Sequence, residues 1–269
     1  MRQQIKMMTL LFFGDVVGEP GRRALYRAIP ELKAEYGADA IIVNGENAAG
    51  GRGITPPLVN EFFEHGVDAI TLGDHVWDQQ SLADQIDTLP NVLRPLNLQS
   101  NNPGKGSCII HTPKGDIGVI CLIGRTFMRY AAENPFLAAE SAVESLHAQG
   151  IHTILVDIHA EATSEKISMA LHLNGRATAV LGTHTHVQTA DARILPAGTA
   201  AITDVGMCGS RDSVIGRDAE QVLQAQITAM PCKLDIGGYP ARVSGVVITA
   251  DENTGRALSI QSFNRDYDR

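Results

Sequence analysis

The chain is organised by short apolar runs, each of which ends in residues able to hold a metal ion. Residues 9–13 leave into Gly14-Asp15, residues 40–43 into Asn44-Gly45-Glu46-Asn47, and residues 69–72 into Gly73-Asp74-His75. Three more runs follow: 152–156 before Asp157-Ile158-His159, 177–181 before Gly182-Thr183-His184-Thr185-His186, and 200–203 before Asp204-Val205-Gly206-Met207. Runs this short and continuously apolar read as strands buried on both faces, because helices need longer stretches. Helical signals fill the gaps. Residues 19–36 carry Leu25, Ile29 and Leu32 at i, i+4 and i+7, and Thr55-Pro56 is an N-cap followed by proline at the first helical position. Further helices are expected at 81–89, 135–149 and 163–173. Strand and helix in alternation predict an α/β chain with a sheet covered on both faces.

Two stretches depart from that alternation. Residues 107–111 and 117–123, joined by Pro113-Lys114-Gly115-Asp116, predict an antiparallel pair, and 241–250 with 257–263 predict a hairpin around 251–255. Residues 91–106 read as loop. No linker, internal repeat or low-complexity tract divides the chain, so one domain is expected over 1–269.

Composition narrows the function. Thirty acids against 22 bases give a net charge of −8, which argues against an extended nucleic-acid surface, since that needs an excess of Lys and Arg over phosphates. A small anionic substrate is still compatible, because bound cations reverse the local potential of an acidic protein. The basic lead at 1–6 and the apolar run at 7–13 bring a signal peptide into consideration. No small-residue cleavage site follows, however, and the run flows into Gly14-Asp15-Val16-Val17-Gly18, so a first buried strand is expected. No apolar run approaches the ~20 residues of a membrane span. Cys108, Cys121, Cys208 and Cys232 show no C-x-x-C spacing, which predicts reduced structural thiols and a cytoplasmic location.

In an open α/β sheet ligands bind beyond the carboxyl ends of the strands, so the polar exits should converge there. Carboxylates mixed with imidazoles suit Mn, Fe, Zn or Ni, whereas Ca and Mg prefer oxygen alone. Asp15, Glu46 with Asn47, Asp74 with His75, His159, and His184 with His186 exceed the needs of one tetrahedral ion. That excess points to two ions ~3.5–4 Å apart sharing a bridging carboxylate, as in many phosphatases and nucleases.

The ordered motifs Gly14-Asp15-Val16-Val17-Gly18, Asn44-Gly45-Glu46-Asn47-Ala48, Gly73-Asp74-His75-Val76-Trp77-Asp78, His159-Ala160-Glu161-Ala162-Thr163-Ser164-Glu165-Lys166, Gly182-Thr183-His184-Thr185-His186 and Thr203-Asp204-Val205-Gly206-Met207 resemble those of the YmdB-like metallophosphoesterases. The resemblance implies a calcineurin-like phosphoesterase fold, a β-sandwich flanked by helices, with a binuclear iron or manganese centre. It implies Asp15, Asn47 and His186 as ligands of one ion, His159 and His184 as ligands of the other, and Glu46 as the bridge. His75 resembles the catalytic histidine that protonates the leaving alkoxide or stabilises the pentacoordinate transition state, and a metal-bridging hydroxide would be the nucleophile. The implied substrates are small phosphate esters, including 2′,3′-cyclic nucleoside monophosphates, and a homo-oligomer is implied. Arg52 and Arg125 are candidates for phosphate contacts, with surface roles equally open.

One position departs from the resemblance: Asp74 stands where the motif has asparagine, normally a neutral amide ligand of the second ion. The extra charge should lower the Lewis acidity of the metal, and it could also tighten metal binding. It also keeps open a metal- or nucleotide-binding regulatory protein with catalysis impaired by Asp74, and a binuclear hydrolase of C–N bonds is a further alternative. Glu161 and Glu165 are expected to favour the start of their helix and to support ligand orientation. Asp157 reads as a group behind the ligands or as a buried hydrogen-bond acceptor, and Trp77 as packing beneath the site. His65, His111, His147, His152 and His172 match no motif and are expected to be structural or exposed.

Overall fold

Two β-sheets, rather than the single covered sheet read from the alternation, receive the apolar runs. The computed structural model describes residues 6–269, so the lead at 1–5 lies outside the described residues. The first sheet takes β1 (Met7–Phe13), β2 (Asp15–Val16), β3 (Ala40–Asn44), β4 (Ala69–Thr71) and β5 (Val92–Leu93). The second takes β6 (Ser107–Thr112), β7 (Gly115–Ile123), β8 (Thr153–His159), β9 (Ala179–Thr183), β10 (Arg193–Ile194) and β11 (Ala200–Ile202). The chain then returns to the first sheet with β12 (Met207–Ser210), β13 (Ala241–Asp251) and β14 (Ala257–Tyr267). Strands β1, β3, β4 and β5 run parallel, with β13 antiparallel to β1. Strands β7, β8, β9 and β11 run parallel as well, with β6 antiparallel to β7.

The continuous apolar character of the runs follows from this packing. Successive side chains on a strand point to opposite faces. On β1, Leu11 and Phe13 pack with Ala24, Leu25, Ala28 and Ile29 of α1 (Gly18–Tyr36) and with Val59 and Phe62 of α2 (Pro56–Glu64). Met8, Leu10 and Phe12 turn the other way, onto Val119, Cys121, Leu155 and Leu181 of the second sheet. The far face of that sheet, with Ile120, Val156 and Val180, is covered by residues such as Val143 and Leu146 from the helix Pro135–Ala148, and Met169 from the helix Thr163–His172. The result is the β-sandwich flanked by helices that the resemblance implied.

Local differences from the sequence reading have local causes. The helix expected over 81–89 breaks into α3 (Gln80–Ala83) and a 3₁₀ turn at Ile86–Thr88, and the loop at 91–106 contributes β5. We number the helix Pro135–Ala148 α4 and Thr163–His172 α5; α6 (Ala219–Thr228), capped by the Asp218 side chain, was not anticipated. Thr55 precedes α2 as expected, although its hydroxyl makes no cap bond. β8 runs three residues further than its apolar stretch, so Asp157 and His159 belong to the strand instead of its exit. Alternation from Leu155 puts both on the inner face, between the sheets. Among the described residues no helix is long and apolar enough to cross a membrane.

Candidate metal centre

The carboxyl ends of β1, β3 and β4 from one sheet and of β8 and β9 from the other open onto a single cleft of about 340 Å³. Glu46, Asn47, His75, His184 and His186 line it, and Asp15, Asp74 and His159 are buried around its floor. His159 is the centre of the deepest group. Its Nε2 lies 3.1 Å from Glu46 Oε1, 3.1 Å from Asp74 Oδ1 and 3.0 Å from His184 Nδ1. Asp74 Oδ1 is also 3.3 Å from His184 Nδ1. One ligand atom from each of Glu46, Asp74, His159 and His184 fits within 4.8 Å of all the others.

A second group stands beside the first. His186 Nε2 is 3.3 Å from the Asn47 side-chain amide and 3.9 Å from Asp15 Oδ1. Glu46 Oε1, already in contact with His159, is 2.9 Å from the Asn47 amide as well. One carboxylate oxygen therefore touches both groups.

The chemistry of this donor set fits cations. Asp15, Glu46 and Asp74 are 0%, 1% and 9% exposed, and buried carboxylates this close together need a positive charge among them. Asp15 Oδ1 is buried with no hydrogen-bond partner. Gly73 leaves no spare room: a Cβ there would lie 2.3 Å from Glu46 Oε2 and His159 Nε2. Burial pushes the His159 imidazole down, but Glu46, Asp74 and Asp15 outweigh it and hold His159 well above the usual histidine range. Burial raises the Asp15 carboxyl, and His186 and His159 only partly offset it. For Glu46 the raising effect of burial is overcome by His159. For Asp74, likewise, hydrogen bonds to His159 and His184 outweigh burial and hold the carboxyl far below the usual range. A divalent ion would supply the positive charge that His159 carries in its protonated form.

The polypeptide holds these groups from behind. Asp157 accepts from Thr71 Oγ1, from Thr183 Oγ1 at 2.7 Å and from Asn44 Nδ2 at 3.0 Å. Thr183 Oγ1 in turn sits 2.9 Å from His159 Nδ1, leaving Nε2 to the cleft. So Asp157 both accepts buried hydrogen bonds and orients a candidate ligand, and the two roles read from the sequence coincide. His184 and His186 have φ of 100° and 67°, a backbone region that non-glycine residues seldom enter and that is often stored at functional sites. Thr185 between them is fixed by Asp204, whose Oδ2 accepts from its amide and hydroxyl and from the buried Lys166 Nζ at 2.8 Å. Asp15 Oδ2 accepts from His184 N, and the start of α1 has no side-chain cap, so Asp15 serves the site and not the helix.

Several supporting residues behave as their types suggest. Glu161 Oε2 is 3.2 Å from His184 Nε2. The Glu165 carboxylate accepts from the Arg125 and Thr126 amides. Trp77 is partly buried and packs against the first apolar core. The two arginines singled out for phosphate contacts, Arg52 and Arg125, are exposed, and neither lines the cleft. Arg217 does line it, with Ile215. The sequence reading missed both; the paired glycine and arginine after Asp212-Ser213 were the only local signal. A larger cavity of about 610 Å³, between β6 and α4, holds a lysine and Cys108, whose thiol burial pushes up to about 12. With no cluster of ligand side chains, it offers nothing comparable to the smaller cleft.

The comparisons with known proteins come down on the same region of sequence space. A family model described as YmdB-like protein matches residues 11–263. The chain is 44% identical over 254 residues to the 2′,3′-cyclic-nucleotide 2′-phosphodiesterase of Bacillus subtilis (strain 168), covering 94% of this chain and 96% of that one. A hypothetical protein from Thermus thermophilus superposes with a TM-score of 0.89 at 38% identity, covering 96% of this chain and 99% of the other. A novel phosphatase from Mycoplasma pneumoniae superposes with a TM-score of 0.90 at 32% identity, covering 98% and 95%.

Proposed function

We infer the reaction from one premise: this chain belongs to the YmdB-like protein family. It is a metal-dependent phosphoric ester hydrolase of small substrates, and we propose 2′,3′-cyclic nucleotides as the substrates, the class named for the Bacillus subtilis relative. The proposal includes two ions, iron or manganese, and Glu46 would contribute to holding both. Asp15, Asn47 and His186 would hold one, and Asp74, His159 and His184 the other. The observation that carries this reading is Glu46 Oε1, 3.1 Å from His159 Nε2 and 2.9 Å from the Asn47 amide, beside the unpartnered Asp15 Oδ1. Asn47 would present its Oδ1 to an ion, which the interchangeable assignment of amide O and N allows. Four free cysteines suit a reducing compartment, and the proposal keeps the cytoplasm.

When bound, such ions supply Lewis acidity toward phosphoryl oxygens and acidify water. The chain's own groups do the rest. His75 is at the cleft wall with Nδ1 committed to Asp78 and its amide committed to Glu46 Oε2. Nε2 is therefore the atom left to deliver a proton to the departing ribose oxygen. Thr183 and Ile215, acting on the Nδ1 atoms of His159 and His186, keep the Nε2 atoms of those rings turned inward. The cleft volume of about 340 Å³ suits a small phosphate ester, and the net charge of −8 argues against an extended nucleic-acid surface.

The test is hydrolysis of 2′,3′-cyclic AMP and of an activated phosphodiester by protein loaded with Mn(II) or Fe. Turnover is expected with one or both metals, and His75→Ala should lower kcat by roughly 10²–10⁴. Metal-loaded protein that cleaves neither ester would overturn the proposal.

A further inference from the structure

The tight turn at 214–217 touches every segment assigned to one of the two proposed ions and none assigned to the other alone. Val214 and Arg217 exchange backbone hydrogen bonds at 2.9 Å in both directions. Ile215 and Gly216, at the tip, have φ of 46° and 95°. For a β-branched residue that backbone is an outlier, and it persists only where the surroundings impose it. The side chain gains little there, since Ile215 is half exposed at the cleft. Its carbonyl is what the strained geometry aims: the oxygen is 3.0 Å from His186 Nδ1.

Arg217 reaches the second segment. Its Nη2 donates to Gly51 O at 2.7 Å, and Nη1 donates to Gly50 O and Leu234 O at 3.4 and 3.3 Å. Gly51 N donates back to Asn47 O at 2.9 Å, closing a short path from the guanidinium to Asn47. All of these partners are carbonyls, which fix the guanidinium without a carboxylate. Gly216 meets the third segment: a Cβ there would lie 2.6 Å from Val17, two residues beyond Asp15. His186, Asn47 and Asp15 are thus braced from one turn. Among the described residues no hydrogen bond from residues 214–217 reaches Asp74, His159 or His184.

We propose that the 214–217 turn, through Ile215 O and Arg217, is a positioning device that sets occupancy of the Asp15–Asn47–His186 position independently of its neighbour. The inference rests on the two-ion reading above. Arg217 here acts through Asn47 and is a positioning residue, not a catalytic one. Groups that orient metal ligands from behind typically change affinity 10- to 100-fold when removed. The asymmetry of the contacts confines that change to one ion.

The experiment is a competitive Mn(II) titration of the full chain against a fluorescent chelator, with electron paramagnetic resonance of the loaded protein. The variants are Arg217→Gln, Arg217→Lys and Gly51→Ala. The last approaches from the opposite side, since a Cβ at Gly51 would lie 2.7 Å from Arg217 Nη2. Two ions should bind the parent protein. In Arg217→Gln and Gly51→Ala one of them should weaken roughly 10- to 100-fold while the other is unchanged, and an isolated Mn(II) signal should replace the coupled pair at limiting metal. Arg217→Lys, which can still donate to Gly51 O, should fall between. Circular dichroism and Tm establish that each variant is folded, and if one is not, the other carries the test. If folded variants keep both ions at parental affinity, or lose both together, the positioning role is wrong. If the parent binds fewer than two ions, the two-ion reading fails first and the inference falls with it.

Discussion

The imidazole of His75 is tethered at Nδ1 to Oδ2 of Asp78, 2.9 Å away and three residues further along the same turn. Asp78 is itself engaged by Arg129 through its other oxygen. Burial raises the Asp78 carboxyl, but Arg129 and His75 outweigh it and keep it below the usual range, so the aspartate stays charged behind the ring. A charged acceptor at Nδ1 fixes the tautomer and orientation that leave Nε2 for the cleft.

Asp78→Asn should therefore lower kcat roughly 10- to 100-fold, less than His75→Ala, as expected for a partner that orients a functional group. KM should change little, because Asp78 does not line the cleft. Steady-state kinetics on both variants checks this. An unaltered kcat would make the pair a surface contact with no role in proton delivery.

Asp74→Asn should raise turnover and weaken metal binding together, each by on the order of tenfold. The carboxylate sits within 3.3 Å of both His159 and His184, so its charge falls on the ion they would share. Removing that charge leaves a stronger Lewis acid held less tightly. Metal content after dialysis and phosphodiesterase rate are the two measurements. If neither moves, Asp74 is a neutral substitution at this position.

Gly73→Ala should abolish metal binding while leaving the sandwich folded. A Cβ at 2.3 Å from Glu46 Oε2 and His159 Nε2 displaces ligand atoms, while the three apolar clusters are untouched. With metal at about 100 times its Kd, the parent protein should gain about 2.7 kcal/mol of stability over its chelator-treated form. In Gly73→Ala that difference should vanish. Urea unfolding with and without Mn(II) reads it, and a variant that still gains on metal addition contradicts the proposed geometry.

Away from the site, Asp68 sets a pH dependence of stability. Burial raises its carboxyl above 3.8, and the hydrogen bond from the Ile41 amide and the nearby Lys33 only partly oppose this. The folded state then binds the proton more tightly than the unfolded chain. Its contribution is thus most favourable below 3.8 and declines as pH rises through the raised value. Asp68→Asn keeps an acceptor for Ile41 and should flatten that decline. Unfolding free energies measured across this window should differ in slope between variant and parent, and parallel curves would count against it.

Much of the fold was legible because burial on both faces writes itself as unbroken apolar runs, and Met8 to Phe13 or Ala40 to Val43 admit no polar residue beyond Thr9. The strand exits were legible for a related reason: beyond the ends of β1, β3, β4 and β9 the continuous apolar requirement stops, and Asp15, Glu46, Asp74 and His184 stand out against it. His159 was harder, since β8 carries it and Asp157 inside the strand, where a polar residue is tolerated only because the site lies directly above. The resemblance supplied the sandwich; the alternation of strand and helix reads the same for one covered sheet as for two.

What the sequence determined by itself is the set of chemical groups and the strands that present them, since both follow from local pattern. Tertiary structure alone decided which groups meet. Arg217 and Gly51 lie 166 residues apart, His75 and Arg129 come together only through Asp78, and Asp157 gathers Thr71, Thr183 and Asn44 from three strands. Arg52 and Arg125 carried the charge expected of phosphate contacts, yet the cleft took Arg217. The reason is physical: the order of strands in two packed sheets fixes which loops share an end of the sandwich, and that order arises from long-range burial that no local spacing encodes.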